Sequence, residues 1–223
     1  MSTFHNPGAF ADLKNYAEKI IKFKQAVSMK AAQNEGLVDP AHYKFVAKGA
    51  CTVFVLDWIA DKKIPSRGSF FHRAKGMPAA KDDASTMAAT FAIDEFAKFS
   101  HNASAIGAAS ARDYLAYQKG LRFVDDKAIS GSHLDTVYNN IVSTIKPDQA
   151  YYISAMTNDG TSIDSHALGM YRDKGSALHF FDPNVGEYKI SDTSNFFRTY
   201  SLKVIEAFKF IYGGATAKPM KPI

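Results

Sequence analysis

The residue best suited to chemistry is Cys51, the single cysteine among 223 residues. It follows Gly49-Ala50 and opens an apolar run through Trp58, so we expect it at the N-terminus of a helix. An ordinary thiol, with a pKa of about 8.5, is mostly protonated at pH 7, and the unpaired amides of a helix N-terminus favour the reactive thiolate. Lone cysteines are more often small buried residues, so a chemical role requires partners elsewhere in the chain.

Two later blocks supply candidate partners. Ser165-His166-Ala167 opens one strand-like segment, and Asp182, followed by proline, closes the next. An imidazole can take the proton of a neighbouring thiol, and a carboxylate beside the imidazole fixes its tautomer and stabilises the imidazolium. Singly, these residues have ordinary explanations as a core cysteine, a strand histidine and a turn aspartate. Jointly, Cys51, His166 and Asp182 predict a thiol-hydrolase triad.

The turn between the two strands decides whether His166 and Asp182 can meet. A two-residue turn would place these side chains on opposite faces of the sheet. A three-residue loop, Asp173-Lys174-Gly175, would set position 166 directly opposite position 182 on one face. Three-residue hairpins favour glycine at their third position, where φ is positive. We therefore predict the three-residue loop and a His166–Asp182 pair.

The order of periodic segments predicts an α+β fold, with a helical lobe followed by an antiparallel β-sheet lobe. Apolar spacing predicts helices at 11–33, 51–59, 85–99, 111–119 and, capped by Ser132, 132–145. Alternation predicts strands at 151–156, 166–171, 177–181, 187–190 and 204–212, with a helical turn at 194–200. The corresponding division is a helical segment at 1–35, a catalytic domain at 36–214 and a flexible basic tail at 215–223.

Composition limits the other classes of function. Hydrophobic residues make up 46% of the chain, which suffices for a core, and the formal charge of +5 is spread thinly. Zinc-ligand spacing, phosphate-binding loops and dense arginine clusters do not occur, so we expect no metal, no cofactor and no nucleic-acid partner. The basic helix at 11–33 and the basic loop at 61–83 are compatible with peripheral membrane contact or an acidic partner. His179, three residues before Asp182, should face the opposite side of its strand and take no catalytic part.

The three chemical blocks also resemble a known family. Gly49-x-Cys51 with Trp58, then Ser165-His166-Ala167, then Phe-Phe-Asp182-Pro-Asn-x-Gly, is similar to the YopT/AvrPphB family of bacterial effector cysteine proteases. The resemblance implies a papain-like fold and a peptidase that is secreted without a cleaved signal peptide and acts in the host cytoplasm. It also implies a host protein substrate, such as a prenylated small GTPase or a kinase, and self-processing in some members. The visible N-terminus, which lacks a secretory signal, agrees with this expectation.

One feature of the family is missing. The family usually places an Asn or Gln shortly before the cysteine to complete the oxyanion hole, whereas this chain has Lys44-Phe-Val-Ala-Lys48 there. The backbone N–H of Cys51 can supply one donor, and the candidates for a second are Lys44, Lys48, Gln33 and Asn34. Loss of a well-placed donor costs about 100- to 1000-fold in rate.

Three functional hypotheses follow from these residues. The first is a papain-like cysteine peptidase in which Cys51 attacks, His166 moves the proton and Asp182 orients the imidazole. The second keeps the triad for deamidation or acyl transfer, because the acyl-enzyme chemistry is shared. The third is a catalytically silent domain that binds a host protein. The sequence leaves the substrate and the oligomeric state open.

Overall fold

A computed structural model describes residues 10–21, 23–39, 50–67, 95–101, 103–158, 163–208 and 211–223. Its strands are β1 (Ala17–Ile21), β2 (Leu121–Phe123), β3 (Ile129–Gly131), β4 (Gln149–Asn158), β5 (Ile163–Arg172), β6 (Leu178–Asp182), β7 (Gly186–Ile190) and β8 (Ile211–Pro222). Within the described ranges they form one eight-stranded antiparallel sheet in the order β1-β7-β6-β5-β4-β8-β2, with β3 paired to β8.

Helices cover both faces of this sheet. They are α1 (Gln25–Asn34), α2 (Cys51–Lys63), α3 (Ala108–Gln118), α4 (Leu134–Thr144) and α5 (Thr193–Phe208). Alternate residues of each strand face one core that includes α1, α2 and α3, and a second core that includes α4 and α5. On β5, Ala167 and Tyr171 face the first core, whereas Leu168 and Met170 face the second.

Helix α2 lies against the centre of the sheet. Its Trp58 packs directly on Gly169 of β5, where a Cβ atom would come within 2.7 Å of the indole ring. The indole Nε1 donates to the buried Glu187 of β7 at 2.9 Å, and Lys62 Nζ binds the same carboxylate at 2.7 Å. One residue earlier in the helix, the buried Asp57 accepts from Lys119 Nζ at 2.7 Å. Buried charges are stable only when they are paired, so these contacts fix the helix that begins at Cys51.

The helix predicted at 11–33 is present only from Gln25 onward, as α1, and the prediction is wrong for the residues before it. A 3₁₀ turn at Ala11–Asn15 is followed by β1 and only then by α1. β1 forms because its backbone pairs with β7, from Ala17 opposite Ile190 to Ile21 opposite Glu187, and this tertiary pairing overrides local helical spacing. Ile20 of the expected apolar stripe is 43% exposed. The helical character expected for 1–35 therefore fails at β1, and the amphipathic surface that suggested membrane contact does not form there.

The C-terminal prediction also fails. The expected strand at 204–212 is occupied up to Phe208 by α5, a full helix rather than the turn expected at 194–200. The segment expected to be a flexible tail, 215–223, belongs up to Pro222 to strand β8, which begins at Ile211. It lies inside the sheet, between β4 on one side and β2 and β3 on the other, and Ala215, Ala217 and Met220 are buried. Its two Lys-Pro pairs suggested a tail because proline lacks the N–H that a central strand donates. The strand nevertheless forms, because β8 pairs along its length with β2, β3 and β4.

The remaining elements follow the sequence patterns. Strands predicted at 151–156, 166–171, 177–181 and 187–190 are present as β4 to β7, and the helices at 51–59, 111–119 and 132–145 as α2, α3 and α4. The α4 N-cap is His133 without a side-chain cap bond, so the prediction of a Ser132 cap is wrong. Residues 85–94 of the predicted 85–99 helix lie outside the described residues. Among the helices that are described, none is long and apolar enough to cross a membrane.

Replacement of Gly186 tests the junction between β1 and the strand that follows Asp182. Gly186 has φ +116°, and a Cβ atom there would overlap the carbonyl oxygen of Ile21. We expect Gly186→Ala to lower the free energy of unfolding by about 3 kcal/mol or more, from backbone strain and steric overlap. Gly175→Ala is the matched control, because its Cβ would meet only Asp173 Oδ1 at 3.4 Å. In urea unfolding the control should lie within about 0.5 kcal/mol of the wild type, and equal effects of the two variants would contradict this packing.

Candidate active site

Cys51 is the first residue of α2, as the sequence predicts. Its partly buried sulfur accepts the backbone N–H of Ala167 on β5, with N···Sγ at 3.4 Å, and lies in hydrogen-bonding contact with the His166 side chain. The backbone N–H of Thr52, in the first helical turn, is a further donor to the sulfur. The helix start and the strand therefore converge on the thiol.

A short strand makes room for this meeting. β6 pairs with β5 only from Gly169 opposite Phe181 to Arg172 opposite Leu178, so the β6-side edge of β5 is unpaired towards His166. Ala167 presents its N–H at that open edge, where a longer β6 would have occupied it. Cys51 belongs to a helix on one face of the sheet, whereas the side chain of His166 points to the other face. The two side chains meet at this open edge of β5.

The structure brings His166 and Asp182 together. His166 Nε2 lies 2.8 Å from Asp182 Oδ1, and the two residues are 7% and 0% exposed. The predicted hairpin geometry is wrong in detail, because the strands are joined by the five residues from Asp173 to Ala177. Asp182 therefore lies diagonally, rather than directly, across from His166. The positive φ falls on Ser176, at 70°, and not on Gly175. The two side chains still share a face because both loop lengths are odd.

Asp182 is held by several donors besides the imidazole. The backbone N–H of Asn184 donates to Oδ1 at 2.8 Å, and the hydroxyl of Tyr200 donates to Oδ2 at 2.6 Å. Tyr200 belongs to α5 and is fully buried, as is Asp182. A carboxylate that accepts several hydrogen bonds in a buried site has a fixed orientation and can remain charged without solvent.

The turn after Asp182 is fixed by the first residue of α1. The backbone N–H of Gln25 donates to the carbonyl of Pro183 at 2.7 Å, and Gln25 Nε2 donates to Asn184 Oδ1 at 2.7 Å. Asn184 Nδ2 in turn lies 3.4 Å from His166 Nε2. Gln25 is only 5% exposed, so the N-terminal segment shields the His166–Asp182 pair.

The surroundings shift the pKa values of the thiol and the imidazole in opposite directions. Burial would raise the pKa of the Cys51 thiol, but the hydrogen bond and charge of His166, with the N–H groups of Ala167 and Thr52, hold it below its ordinary value. Burial would lower the pKa of His166, yet the charge and hydrogen bond of Asp182, with those of Cys51, raise it to about 10. These shifts favour a thiolate–imidazolium pair at neutral pH.

A second polar contact lies beside Cys51. Thr52 Oγ1 and the hydroxyl of Tyr152 on β4 are 3.0 Å apart, and the guanidinium of Arg112 lies over the Tyr152 ring. Burial and the neighbouring charge of Cys51 raise the pKa of Tyr152 to about 12. The Tyr152 phenol therefore stays neutral and can donate a hydrogen bond across the physiological pH range.

The other sequence candidates are not brought to the thiol. Gln33 lies at the far end of α1, where its Oε1 accepts from Lys30 Nζ, and Asn34 is exposed. Lys44 and Lys48 lie outside the described residues, as does most of the basic loop at 61–83. Lys62 and Lys63 of that loop belong to α2 and bind Glu187 and Asp148.

His179 takes no part in the triad geometry, in agreement with the sequence. Its Nδ1 lies 2.9 Å from Glu187 Oε1 and its Nε2 lies 3.5 Å from Asp173 Oδ2. It therefore belongs with the Trp58–Glu187 contacts that anchor α2. Among the residues that the structure describes, no group of three or more acidic, histidine or cysteine side chains could hold a metal ion.

Sequence reasoning missed Gln25, Asn184 and Tyr200, which lie around Asp182, and Glu187, which anchors α2. Asn184 lies in the Asp-Pro-Asn block and could have been found there, because an Asx-type turn after Asp182 orders both residues. Tyr200 and Gln25 carry no local signal. Their roles depend on how α5 and α1 pack against the sheet.

The fold can now be compared with solved structures. The avirulence protein AvrPphB of Pseudomonas matches with a TM-score of 0.54 and 12% sequence identity, over 79% of this chain and 94% of that chain. The molecule therefore has the papain-like cysteine protease fold, and the predicted α+β class is confirmed. The family profile named Peptidase_C58, Yersinia/Haemophilus virulence surface antigen, matches residues 17–206.

The chain belongs to that peptidase family, because the match covers most of its length. This membership confirms the resemblance inferred from the three sequence blocks. Membership of this family makes the chain a cysteine peptidase. None of the curated proteins compared by sequence matches the chain.

The reactivity of Cys51 tests the geometry. We expect iodoacetamide to alkylate wild-type Cys51 rapidly at pH 6.5, where an ordinary thiol is only about 1% ionised. His166→Ala removes the imidazolium while burial persists, so the pKa of the thiol rises and the rate at pH 6.5 falls about tenfold. Mass spectrometry of the alkylated Cys51 peptide gives the rate.

His133→Ala is the matched control for this experiment, because His133 is an exposed residue just before α4 and should leave the alkylation rate unchanged. The inferred thiolate–imidazolium pair would be wrong if wild type and His166→Ala were alkylated equally fast at pH 6.5.

Proposed function

We propose that the chain is a cysteine endopeptidase with a Cys51–His166–Asp182 triad, and that it is secreted by a bacterium to cleave a host protein. The observation that carries this proposal is the convergence of the three residues. Cys51 Sγ lies against His166 and the Ala167 N–H, and His166 Nε2 lies 2.8 Å from Asp182 Oδ1. The proposed nucleophile thus contacts the proposed base, and the base contacts the group that orients it, as acyl transfer requires.

In the first half of the reaction, the Cys51 thiolate attacks the scissile carbonyl carbon. The carbonyl oxygen becomes an oxyanion, to which the backbone N–H of Cys51 at the start of α2 can donate. Nε2 of His166 is turned to Asp182, so Nδ1 is the ring nitrogen that serves the reaction. Nδ1–H protonates the departing amine, the C–N bond breaks, and a thioester joins the substrate acyl group to Cys51.

In the second half, water replaces the released amine. His166, now neutral, takes a proton from that water through Nδ1, and the resulting hydroxide attacks the thioester carbonyl. Collapse of the tetrahedral intermediate breaks the C–S bond, which releases the carboxylic acid and regenerates the thiolate–imidazolium pair. Asp182 keeps the tautomer and the direction of the ring constant throughout.

The proposed substrate is a protein inside the host cell. The family description, a virulence surface antigen, supports a role in contact with a host. The small GTPase and kinase classes that the sequence resemblance suggests are the first substrates to examine. Delivery without a cleaved signal peptide belongs to the same proposal.

A survey of newly formed protein N-termini in eukaryotic cell lysate tests the function. We expect wild-type protein to generate a small set of new N-termini within an hour, and Cys51→Ala to generate none, because the acyl-enzyme cannot form. Edman sequencing of the purified wild-type and Cys51→Ala proteins reports self-processing in the same experiment.

The outcomes separate the three hypotheses. Rapid alkylation of Cys51 with no new N-termini would overturn peptidase activity and favour deamidation or acyl transfer, which a mass change of 1 Da at glutamine or an amide-linked adduct would reveal. Alkylation no faster than that of a free thiol would overturn all enzymatic function and leave a host-protein-binding domain.

A further inference from the structure

Tyr200 is a buried polar group that the proposed mechanism does not use. Its hydroxyl donates to Asp182 Oδ2 at 2.6 Å, and both residues are 0% exposed. The other carboxylate oxygen, Oδ1, already accepts from His166 Nε2 and the Asn184 N–H. Tyr200 therefore occupies the oxygen that does not face the imidazole.

The Tyr200 ring is held rigidly in the second core. It packs on Phe180 at a centroid distance of 4.9 Å and on Phe196 at 6.2 Å. Two donors, His166 Nε2 and the Asn184 N–H, already hold Oδ1 of Asp182. The hydroxyl of Tyr200 therefore adds stabilisation of the negative charge at Oδ2 and does not set the direction of Oδ1.

We propose that Tyr200 is a positioning residue that acts on the triad through Asp182: its hydroxyl draws charge from the carboxylate, so that His166 gives up its proton more readily. This inference rests on the proposed peptidase function. It assigns a catalytic consequence to α5, which supplies none of the three triad residues.

The electrostatic argument has a definite sign. Asp182 and Cys51 together raise the pKa of His166 to about 10, and an acid this weak donates poorly to a leaving amine near neutral pH. A hydrogen bond to the carboxylate stabilises it most when its charge is uncompensated, which is when His166 is neutral. Tyr200 therefore favours neutral His166, and loss of the hydroxyl should strengthen proton binding by the His166–Asp182 pair.

The titratable groups around this pair come from every element that packs against it. They are Cys51 from α2, Tyr188 from β7, Tyr200 from α5 and, in contact with the Tyr200 ring, Tyr138 from α4. Burial and the charge of Asp182 raise the pKa of Tyr188, so that phenol stays neutral. Cys51 is the group whose ionisation is coupled most directly to His166, and the test removes it.

The test is an NMR titration of the His166 imidazole in full-length Cys51→Ala protein, with and without Tyr200→Phe. The signal is assigned by its loss in His166→Ala. We expect Tyr200→Phe to raise the titration midpoint by about half a pH unit or more, a threefold or larger gain in proton affinity. Tyr171→Phe is the matched control. It removes another tyrosine-to-aspartate bond, to Asp148 Oδ1 at 3.1 Å, near the opposite end of β5, and should leave the midpoint unchanged.

A purely structural role for Tyr200 predicts the opposite sign. If the phenylalanine variant merely loosened the core and admitted water, the midpoint would fall towards the value of about 6.5 of a free histidine. An unchanged or lowered midpoint therefore overturns the proposal. In the Asp182→Asn background Tyr200→Phe should have no effect, and a shift there would show that Tyr200 does not act through Asp182.

Phenylalanine keeps the ring contacts, and thermal unfolding reports whether the variant folds. Should it not fold, 3-fluorotyrosine at position 200 keeps the fold and makes the hydroxyl a stronger donor, so the midpoint should fall below that of the unfluorinated protein; an unchanged midpoint overturns the proposal. Failure of the proposed function is visible separately, as slow alkylation of wild-type Cys51 at pH 6.5 whatever residue occupies position 200.

Discussion

A negative charge with no access to water must receive its hydrogen bonds from the protein, and the buried carboxylate of Asp182 imposes this requirement on much of the molecule. Its donors come from β5, from the turn after β6 and from α5. That turn is itself held by two hydrogen bonds from Gln25 at the start of α1. Elements from both ends of the chain must be in place before the charge is tolerated. The site is therefore a product of the complete fold rather than of the strands that carry its residues.

The two hydrophobic cores meet at the same point. Cys51 extends from the helix of the first core, whereas Asp182 lies on the same face of β6 as Phe180, which packs in the second core. The early end of β6 lets the sulfur reach the edge of β5 and Ala167. A small shift of α2 along the sheet would separate Cys51 from His166, so the Trp58–Glu187 bond and the close approach at Gly169 help to keep these two side chains in contact.

The sequence predicted the candidate site residues that lie in segments with a clear helical or strand pattern. Cys51 at a helix start, His166 on a strand and Asp182 before a turn were predictable, because helix ends and alternating strands have strong local signals. The loop at Gly175 shows how limited such inference is. Its length was wrong by two residues, yet the shared face survived because face depends only on odd or even length.

Other features could not be read locally. β1 and β8 looked like a helix and a tail because their structure arises from strands far away in the chain. Tyr200 and Gln25 act on Asp182 only through the packing of α5 and α1. The oxyanion donor besides the Cys51 N–H was also not identified, since Lys44 and Lys48 lie outside the described residues and Gln33 binds Lys30.

The position of β8 has a consequence for how the protein is made. This strand, the last in the chain order, pairs with β4 more than 50 residues upstream and also separates β4 from β2 and β3. Contacts between residues so distant in sequence have a high entropic cost of loop closure and form slowly. A ribosome-bound chain that lacks residues 211–222 would leave β4 with an open edge, a known template for aggregation. The sheet should therefore be completed only when β8 is available to pair with β4, β2 and β3.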